Sequence, residues 1–469
     1  MATTTGGRTG LDAFFKISDR RSTVRTEVVA GVATWLTMAY ILFVNPSILG
    51  NLADRSHTTL AFPQVLTVTA LVAGVMTLAM GLWANYPFAL AAGLGLNAFV
   101  AFTLVLGRGL TWPEAMGVIV IEGLAITVLV LTGFREAVLN AIPLDLKKAI
   151  GIGIGLFIAL IGFVNAGIVC GQVKSASCAE AAPTVVALNP NLRHWGIFVF
   201  VLGLVITAAL VARRVRGALL ISIVTSTIVA TIINEAKHLK IWQDGIAALP
   251  HKIFASPDFG LVGNFSFNVF HVLGVASAIA VILAVMLSDF FDTMGTVVGI
   301  GGEAGLLDEN GRLPGIQRVL LVDSLAAAAG GAASASSNTT FIESAAGVAE
   351  GGRTGLTAVV TGVLFLAALF ISPIAGVIPP EATAPVLVIV GYFMTTLVKD
   401  IDWADPGIGI PALLTISLMP FTFSITNGVG AGFVSYVVIA ILRGRWRDVH
   451  PLLVIVAGVF VWYFVHGVI

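Results

Sequence analysis

Long apolar segments separated by short polar stretches recur from about residue 24 to the end of the chain. Runs of about 18 or more apolar residues are long enough to cross a ~30 Å hydrocarbon core as helices. The pattern therefore predicts an all-α polytopic membrane protein with about fourteen spans. The predicted spans are residues 24–44, 64–84, 88–104, 113–133, 138–164, 195–213, 217–235, 269–291, 315–333, 338–350, 355–377, 382–399, 406–424 and 427–442.

Composition supports this class: 57% of the 469 residues are hydrophobic and 11% are charged, against ~25% charged in an ordinary globular domain. The N-terminal segment 1–23 is polar and basic and has no apolar core of a signal peptide, so we expect it to remain as a tail. The net charge of zero gives no reason to expect nucleic acid as a partner. The lipid bilayer is the expected partner.

Basic residues set the expected orientation. When the spans alternate, most loop cations fall on one side, which the positive-inside rule makes cytoplasmic together with the N-terminus. The long loops 165–194 and 236–268 then face outward in a cell (plasma or inner) membrane. A basic segment followed by one more apolar run forms residues 443–469. A fifteenth crossing would place the C-terminus outside, so we expect the run 451–469 to be interfacial or partly inserted.

The spans 88–104 and 338–350 are short, polar or rich in glycine. Transporters place substrates at such paired broken segments in corresponding halves of the chain. Two Ile-Pro pairs, at Ile142 and Ile378, each begin a long span and lie about half a chain apart. Asn97 and Glu343 lie a similar distance apart along the chain. Two seven-span repeats would explain both spacings, and an odd number of crossings inverts the second copy. Chance matches of two short strings are the alternative.

Acids also occur at membrane depth. Asp289 and Asp292 end the apolar run from Val272, and Glu343 lies in the short span 338–350. A charged side chain at the bilayer centre costs about 2.5–3.5 kcal/mol on insertion scales, so such acids usually mark an ion or substrate path. A structural role, as a helix cap or in an ion pair, is the alternative for each.

Four strings carry a resemblance to a known family: TWLTMAYI at 34–41, PFALAAGLGLNAF at 87–99, FDTMGT at 291–296 and IESAAGVAEGGRTG at 342–355. In this order they resemble the AzgA-type purine permeases of the nucleobase-cation symporter superfamily, which includes xanthine and uracil permeases. The chain departs from the family at Ala92, Leu94, Asn338 and Phe341, so the preferred purine stays open.

The resemblance implies a 7+7 inverted repeat of core and gate domains that slide in an elevator-like cycle, with short β-strands in the two broken spans. It implies import of hypoxanthine, guanine or adenine with protons, sodium being the alternative ion, by a homodimer formed through the gate. The expected segments are the tail 1–23, core 24–133 and 269–377, gate 138–235 and 382–442, and the C-terminal segment 443–469.

The resemblance places substrate or proton residues at Asn97, Asp289, Asp292 and Glu343, and their chemistry fits. A purine edge carries N–H donors and acceptors, which a carboxylate and an amide can bind, while aromatic rings cover its faces. We expect Glu343, Asn97 and Asp289 to contact the base. The alternative for Asn97 is that its side chain satisfies the backbone of the broken span. The nearby aromatic side chains that offer stacking surface are Phe88, Phe99, Phe290 and Phe341.

Asp289 and Asp292 are three residues apart, so on a helix they share a face and each raises the proton affinity of the other. We assign proton coupling to Asp289, Asp292 and Glu343. Glu122 and Asp323 are second-rank candidates, for which a buried polar partner is the favoured reading. A facilitator or channel, or an anion transporter of the same fold, is the alternative function.

Other chemistry has little support in the sequence. The glycines at 299–302 are not followed by the Gly-Lys-Ser/Thr of a phosphate loop, and the seven histidines show no HExxH spacing. We expect no cofactor, no metal site and no enzymatic activity. Cys170 and Cys178 lie in the predicted outer loop 165–194, where a disulfide is possible in an oxidising compartment.

Overall fold

A computed structural model describes residues 10–50, 52–132, 142–170, 186–237, 242, 245–250, 252–308, 313–445, 447 and 449–466. Within these ranges the chain is mainly helical. The helices are α1 (Gly10–Phe15), α2 (Val24–Met38), α3 (Ile41–Leu49), α4 (Phe62–Ala79), α5 (Leu94–Ala98), α6 (Trp112–Leu131), α7 (Leu144–Asn165), α8 (Trp195–Ala212), α9 (Ala218–Lys237), α10 (Val269–Leu273), α11 (Val275–Glu303), α12 (Ile316–Ala332), α13 (Ser344–Ala349), α14 (Gly355–Ala367), α15 (Ser372–Ala375), α16 (Pro380–Thr395), α17 (Pro406–Thr422), α18 (Ile425–Leu442) and α19 (Pro451–His466).

Shorter elements complete the chain. Met80–Ala84 and Phe99–Gly107 are π-helical, and Ala368–Ile371 and Thr396–Asp400 are 3₁₀ turns. The strands are β1 (Leu90–Ala92), β2 (Val169–Cys170), β3 (Ala187–Leu188) and β4 (Asn338–Thr340). Among the described residues, ten helices are long and apolar enough to cross a membrane, and three shorter apolar helices accompany them.

Two predicted spans differ from the observed helices. The first is broken at Ala39 and Tyr40, where α2 ends and α3 begins. The span predicted at 269–291 continues as α11 to Glu303, because the glycines near its end do not interrupt the helix. Glycine is common in membrane helices. The sequence had suggested that Asp289 and Asp292 lie at the end of a helix. They lie instead in its middle.

The two short spans meet at a pair of strands. β1 and β4 pair antiparallel, with Leu90 opposite Thr340 and Ala92 opposite Asn338. Each strand is followed by a short helix, α5 after β1 and α13 after β4. The strands are fully buried, which satisfies the rule that non-helical backbone at membrane depth must lie inside protein. The short strands expected in these spans are thus present.

The helices pack in two groups. In one, α6 packs on α11 and α12, and α14 packs on α2 and α4, around the β1–β4 pair. In the other, α7 packs on α16 and α17, α8 on α9 and α16, and α17 on α18. Each group draws on both halves of the chain. The division into a core, 24–133 with 269–377, and a gate, 138–235 with 382–442, stays a prediction.

The C-terminal helix α19 lies along α18 in the opposite direction. The hydroxyl of Tyr463 donates to Oδ1 of Asn427 at 3.0 Å, and the ring of Phe460 meets that of Phe433 with centroids 6.1 Å apart. Phe460 and Tyr463 are fully buried. Burying these rings requires a neighbouring helix, which α18 supplies. The expectation that 451–469 is interfacial or partly inserted stays a prediction.

The sequence left open whether Cys170 and Cys178 form a disulfide, and the question stays open. Cys170 ends β2 and lies opposite Ala187 of β3. Cys178 lies outside the described residues.

Candidate functional site

The candidate site lies where β1 and β4 give way to their short helices. The backbone N–H of Phe341 donates to the carbonyl oxygen of Ala89 at 3.0 Å. The N–H of Ala89 donates to Oγ of Ser344 at 3.0 Å. These bonds fix the start of α13 against the strand that precedes α5. Residues 343 and 97, from different halves of the chain, are thereby attached to one rigid strand pair.

Glu343 occupies the N-cap position of α13 and is half-buried. The phenolic hydroxyl of Tyr40 donates to its Oε1 at 2.6 Å. Tyr40 lies in the break between α2 and α3 and is 1% exposed. The hydroxyl of Thr37 also approaches the backbone carbonyl oxygen of Glu343, at 3.4 Å. The carboxylate is thus held in place by a helix break that the sequence did not predict.

Asn97 lies in α5, which packs against α3 and α11. Its side chain is fully buried, and neither Oδ1 nor Nδ2 has a hydrogen-bond partner among the described residues. An unbonded buried amide is costly, by about 1–3 kcal/mol. A ligand that offers both a donor and an acceptor would remove this cost.

Asp289 and Glu122 face each other between α11 and α6. Both side chains are fully buried, and their carboxyl groups lie within hydrogen-bonding reach of each other. Apart from Glu122, neither oxygen of Asp289 meets a donor among the described residues. Glu122 was a second-rank candidate, and the structure brings it directly to the acid of α11.

Asp292 differs from Asp289 in exposure. Its side chain is exposed whereas that of Asp289 is buried. Asp292 interacts electrostatically with Glu343 and with Asp323. Its position in the middle of α11 contradicts the alternative that it caps a helix. Asp292 therefore connects the acids of α11 electrostatically to the carboxylate of the broken span.

Asp323 on α12 has the buried polar partners that the sequence favoured for it. Its Oδ1 accepts from the backbone N–H of Thr340 at 2.9 Å and from the hydroxyl of Thr340 at 2.7 Å. Its Oδ2 accepts from the hydroxyl of Thr293 at 2.7 Å. Asp323 thus joins α12 to α11 and to the end of β4, and its hydrogen bonds hold these elements in place beside the site.

The predicted stacking rings are buried in the protein. Phe88 stacks on Tyr86 with ring centroids 5.3 Å apart and planes at 10°, so one of its faces is already covered. Phe99, Phe290 and Phe341 are 1%, 3% and 7% exposed. Their contact with a base stays a prediction.

Sequence reasoning did not identify Tyr40 and Glu27 as buried polar residues that support the site. Tyr40 stood inside one of the four motifs, which was the available signal. Glu27 is fully buried and accepts from the N–H of Arg353 at 3.0 Å and from the hydroxyl of Thr357 at 2.6 Å. Glu27 therefore fastens the segment after α13 to α2. Among the described residues no group of three or more His, Cys, Asp or Glu could hold a metal ion.

Two relatives of this chain are purine permeases by name. The adenine permease AdeQ of Escherichia coli K12 is 39% identical over 451 residues, covering 96% of this chain and 95% of its own length. The guanine/hypoxanthine permease PbuO of Bacillus subtilis 168 is 38% identical over 450 residues, covering 95% and 98%.

Solved structures share the fold at low identity. The transmembrane domain of the cyanobacterial bicarbonate transporter BicA matches with a TM-score of 0.61 at 14% identity, over 87% of this chain and 96% of its own. The murine anion transporter Slc26a9 matches with a TM-score of 0.63 at 10% identity, over 94% and 74%. These matches show an architecture shared with known transporters.

The family comparison confirms the resemblance seen in the four motifs. The family model described as "Permease family" (Xan_ur_permease) matches residues 25–431. This range includes both strand-containing spans and every candidate acid. The chain therefore belongs to the Permease family and is a multi-pass membrane permease rather than an enzyme.

Proposed function

We propose that this permease imports a purine nucleobase, namely adenine, hypoxanthine or guanine, together with protons. The observation that carries the proposal is the buried amide of Asn97, whose donor and acceptor are both unused, attached to the same strand pair as the Glu343 carboxylate. A purine edge presents N–H donors beside ring-nitrogen or carbonyl acceptors. Glu343 accepts the donors, and Asn97 takes one bond of each kind.

Proton symport is supported by the burial of the other acids. Asp289 and Glu122 are fully buried, and Asp292 interacts with Glu343. Acidic groups inside the membrane are costly unless they are protonated or paired. Binding and release of protons at these carboxyl groups gives them a use that a passive channel would not require.

The same acids argue against an anion as the substrate. The bicarbonate and anion transporters share the fold at 14% and 10% identity, which carries the architecture and not the cargo. A site that contains Glu343 and Asp292 repels an anion by like charge. A neutral base with N–H donors meets no such repulsion.

We further propose an elevator mechanism, which the packing of the helices in two groups supports. In this proposal residues 24–133 and 269–377 form a core that carries the base, and residues 138–235 and 382–442 form a gate. The gate forms the homodimer contact in the cell membrane, with the N-terminus in the cytoplasm. Support comes from the strand pair and candidate site, which lie within the first group.

Uptake into cells that lack their own nucleobase permeases tests the proposal. Labelled adenine, hypoxanthine, guanine, xanthine and uracil are compared with and without a protonophore. Accumulation of at least one purine that the protonophore abolishes supports proton symport. Uptake that the protonophore does not change indicates a facilitator. Failure to take up any purine overturns the assignment of a purine as the substrate.

A further inference from the structure

We propose that the coupling proton is held between the carboxyl groups of Glu122 on α6 and Asp289 on α11, which act as one proton-binding pair. This inference rests on the proposed function, proton symport, and assigns the proton to two residues from different spans. The sequence had placed it on Asp289, Asp292 and Glu343. The structure separates Asp289 from Asp292 by exposure and gives it Glu122 as its partner.

Hydrogen-bonding capacity requires a proton here. Glu122 Oε2 accepts from the hydroxyl of Ser337 at 3.4 Å. Glu122 Oε1 and both oxygens of Asp289 are buried and meet no other donor among the described residues. Ionised carboxylates are acceptors only. A bond between the two groups therefore exists only when one of them carries a proton and donates it to the other.

The charged surroundings make the two-anion state unfavourable. The other ionisable groups that act on the pair are Asp323 on α12 and Asp292 on α11, both acids. Adjacent carboxylates in a site of low polarity do not both ionise readily and instead share a proton. One proton bound between them removes one of two facing charges, and its release restores both.

The elements that pack against α11 carry few other titratable groups. α5 and β4 carry none. Glu343 caps α13 and acts on Asp292 instead. The remaining titratable residues whose side chains are described on the packed helices are Glu114 in the first turn of α6, His271 on α10, Asp145, Lys147 and Lys148 in the first turns of α7, Tyr436 on α18 and Tyr463 on α19.

The pair is connected to the base site through one turn of α11. Asp289 interacts with Asp292, and Asp292 interacts with Glu343. On the other side, Ser337 immediately precedes β4, which leads to Glu343. Loss of the proton makes Glu122 and Asp289 repel each other. This repulsion acts on α6 and α11, and it reaches β4 through the hydrogen bond that Ser337 donates to Glu122. Proton binding and purine binding are thereby coupled.

The test uses purified full-length protein in proteoliposomes, with a labelled purine that the wild type accumulates. Glu122→Gln and Asp289→Asn each remove one carboxyl group, and the double variant removes both. Under an inward proton gradient we expect accumulation in each single variant to fall to simple equilibration and its dependence on pH to flatten. We expect the double variant to be no worse than either single one, because the pair acts as a unit.

Two further readings make the outcome decisive. Purine-for-purine exchange needs no net proton movement, so exchange by Glu122→Gln shows that this variant is folded. If Glu122→Gln does not exchange purine, Asp289→Asn is used to test the pair. Glu303→Gln, an exposed acid at the end of α11, is the matched control and should accumulate purine as the wild type does. Wild-type accumulation and pH dependence in Glu122→Gln, or additive losses in the double variant, would overturn the pair. No accumulation by the wild type would instead overturn proton symport itself.

Discussion

The hydroxyl of Tyr40 donates a 2.6 Å hydrogen bond to Glu343 Oε1, which joins the break between α2 and α3 to the start of α13. Hydrogen bonds to charged groups contribute about 1.5–3 kcal/mol. Tyr40→Phe removes this bond and leaves the ring, so Glu343 loses its fixed orientation. We expect the KM for purine uptake to rise about tenfold, the equivalent of ~1.4 kcal/mol.

Thr37→Ala is the control for Tyr40→Phe. Thr37 donates to carbonyl oxygens in its own helix and approaches only the backbone of Glu343, at 3.4 Å. Its removal should change the KM by less than Tyr40→Phe does. Equal KM values for Tyr40→Phe and the wild type would contradict the assignment of Glu343 to the base.

Asn97 and Asn45 are both fully buried asparagines, but only one is used by the fold. Nδ2 of Asn45 donates to Thr69 Oγ1 at 2.8 Å and to the carbonyl oxygen of Ala335 at 3.1 Å, whereas Asn97 has no partner among the described residues. We expect Asn97→Ala to lower purine affinity at least tenfold without loss of thermal stability. Asn45→Ala should lower the melting temperature instead. Radiolabel binding and thermal unfolding in detergent distinguish the two, and the reverse pattern would refute the role of Asn97.

Asp323 accepts three hydrogen bonds that join α12 to α11 and β4. We assign Asp292 to proton coupling and not to this structural role. Asp323→Ala leaves the buried N–H of Thr340 without its acceptor, at a cost of about 1–3 kcal/mol. We expect a lower melting temperature and less protein in the membrane. Asp292→Asn should keep the wild-type melting temperature and lose accumulation driven by the proton gradient. Full accumulation in Asp292→Asn would remove Asp292 from proton coupling.

Sliding of the core against the gate predicts that a bond between α5 and α7 arrests transport. A Cβ placed on Gly95 would lie 3.9 Å from Cβ of Ile154, and disulfides have Cβ atoms about 3.8 Å apart. We expect Gly95→Cys with Ile154→Cys to lose purine uptake under oxidation and to regain it with a reductant. The single Ile154→Cys variant should be insensitive to oxidant. Undiminished uptake by the fully cross-linked protein would contradict an elevator motion.

Sequence reasoning predicted the membrane class, the family and the two short strand-containing spans, because hydrophobic length and motif order are local properties. It did not predict that Glu122 would meet Asp289, since the facing of α6 and α11 depends on packing between distant segments. Tyr40 was missed because a helix break inside an apolar run leaves little trace in hydrophobicity. The end of α11 was misplaced because glycine weakens helices in water more than it does within a packed membrane protein.

Gradient-driven uptake by the purified protein tests the central claim most directly. Proteoliposomes receive labelled adenine, hypoxanthine or guanine outside and an inward proton gradient. Proton symport predicts that at least one purine accumulates above its external concentration and that a protonophore abolishes the excess. A purine that only equilibrates across the membrane, with the same time course whether or not the gradient is present, would contradict the account.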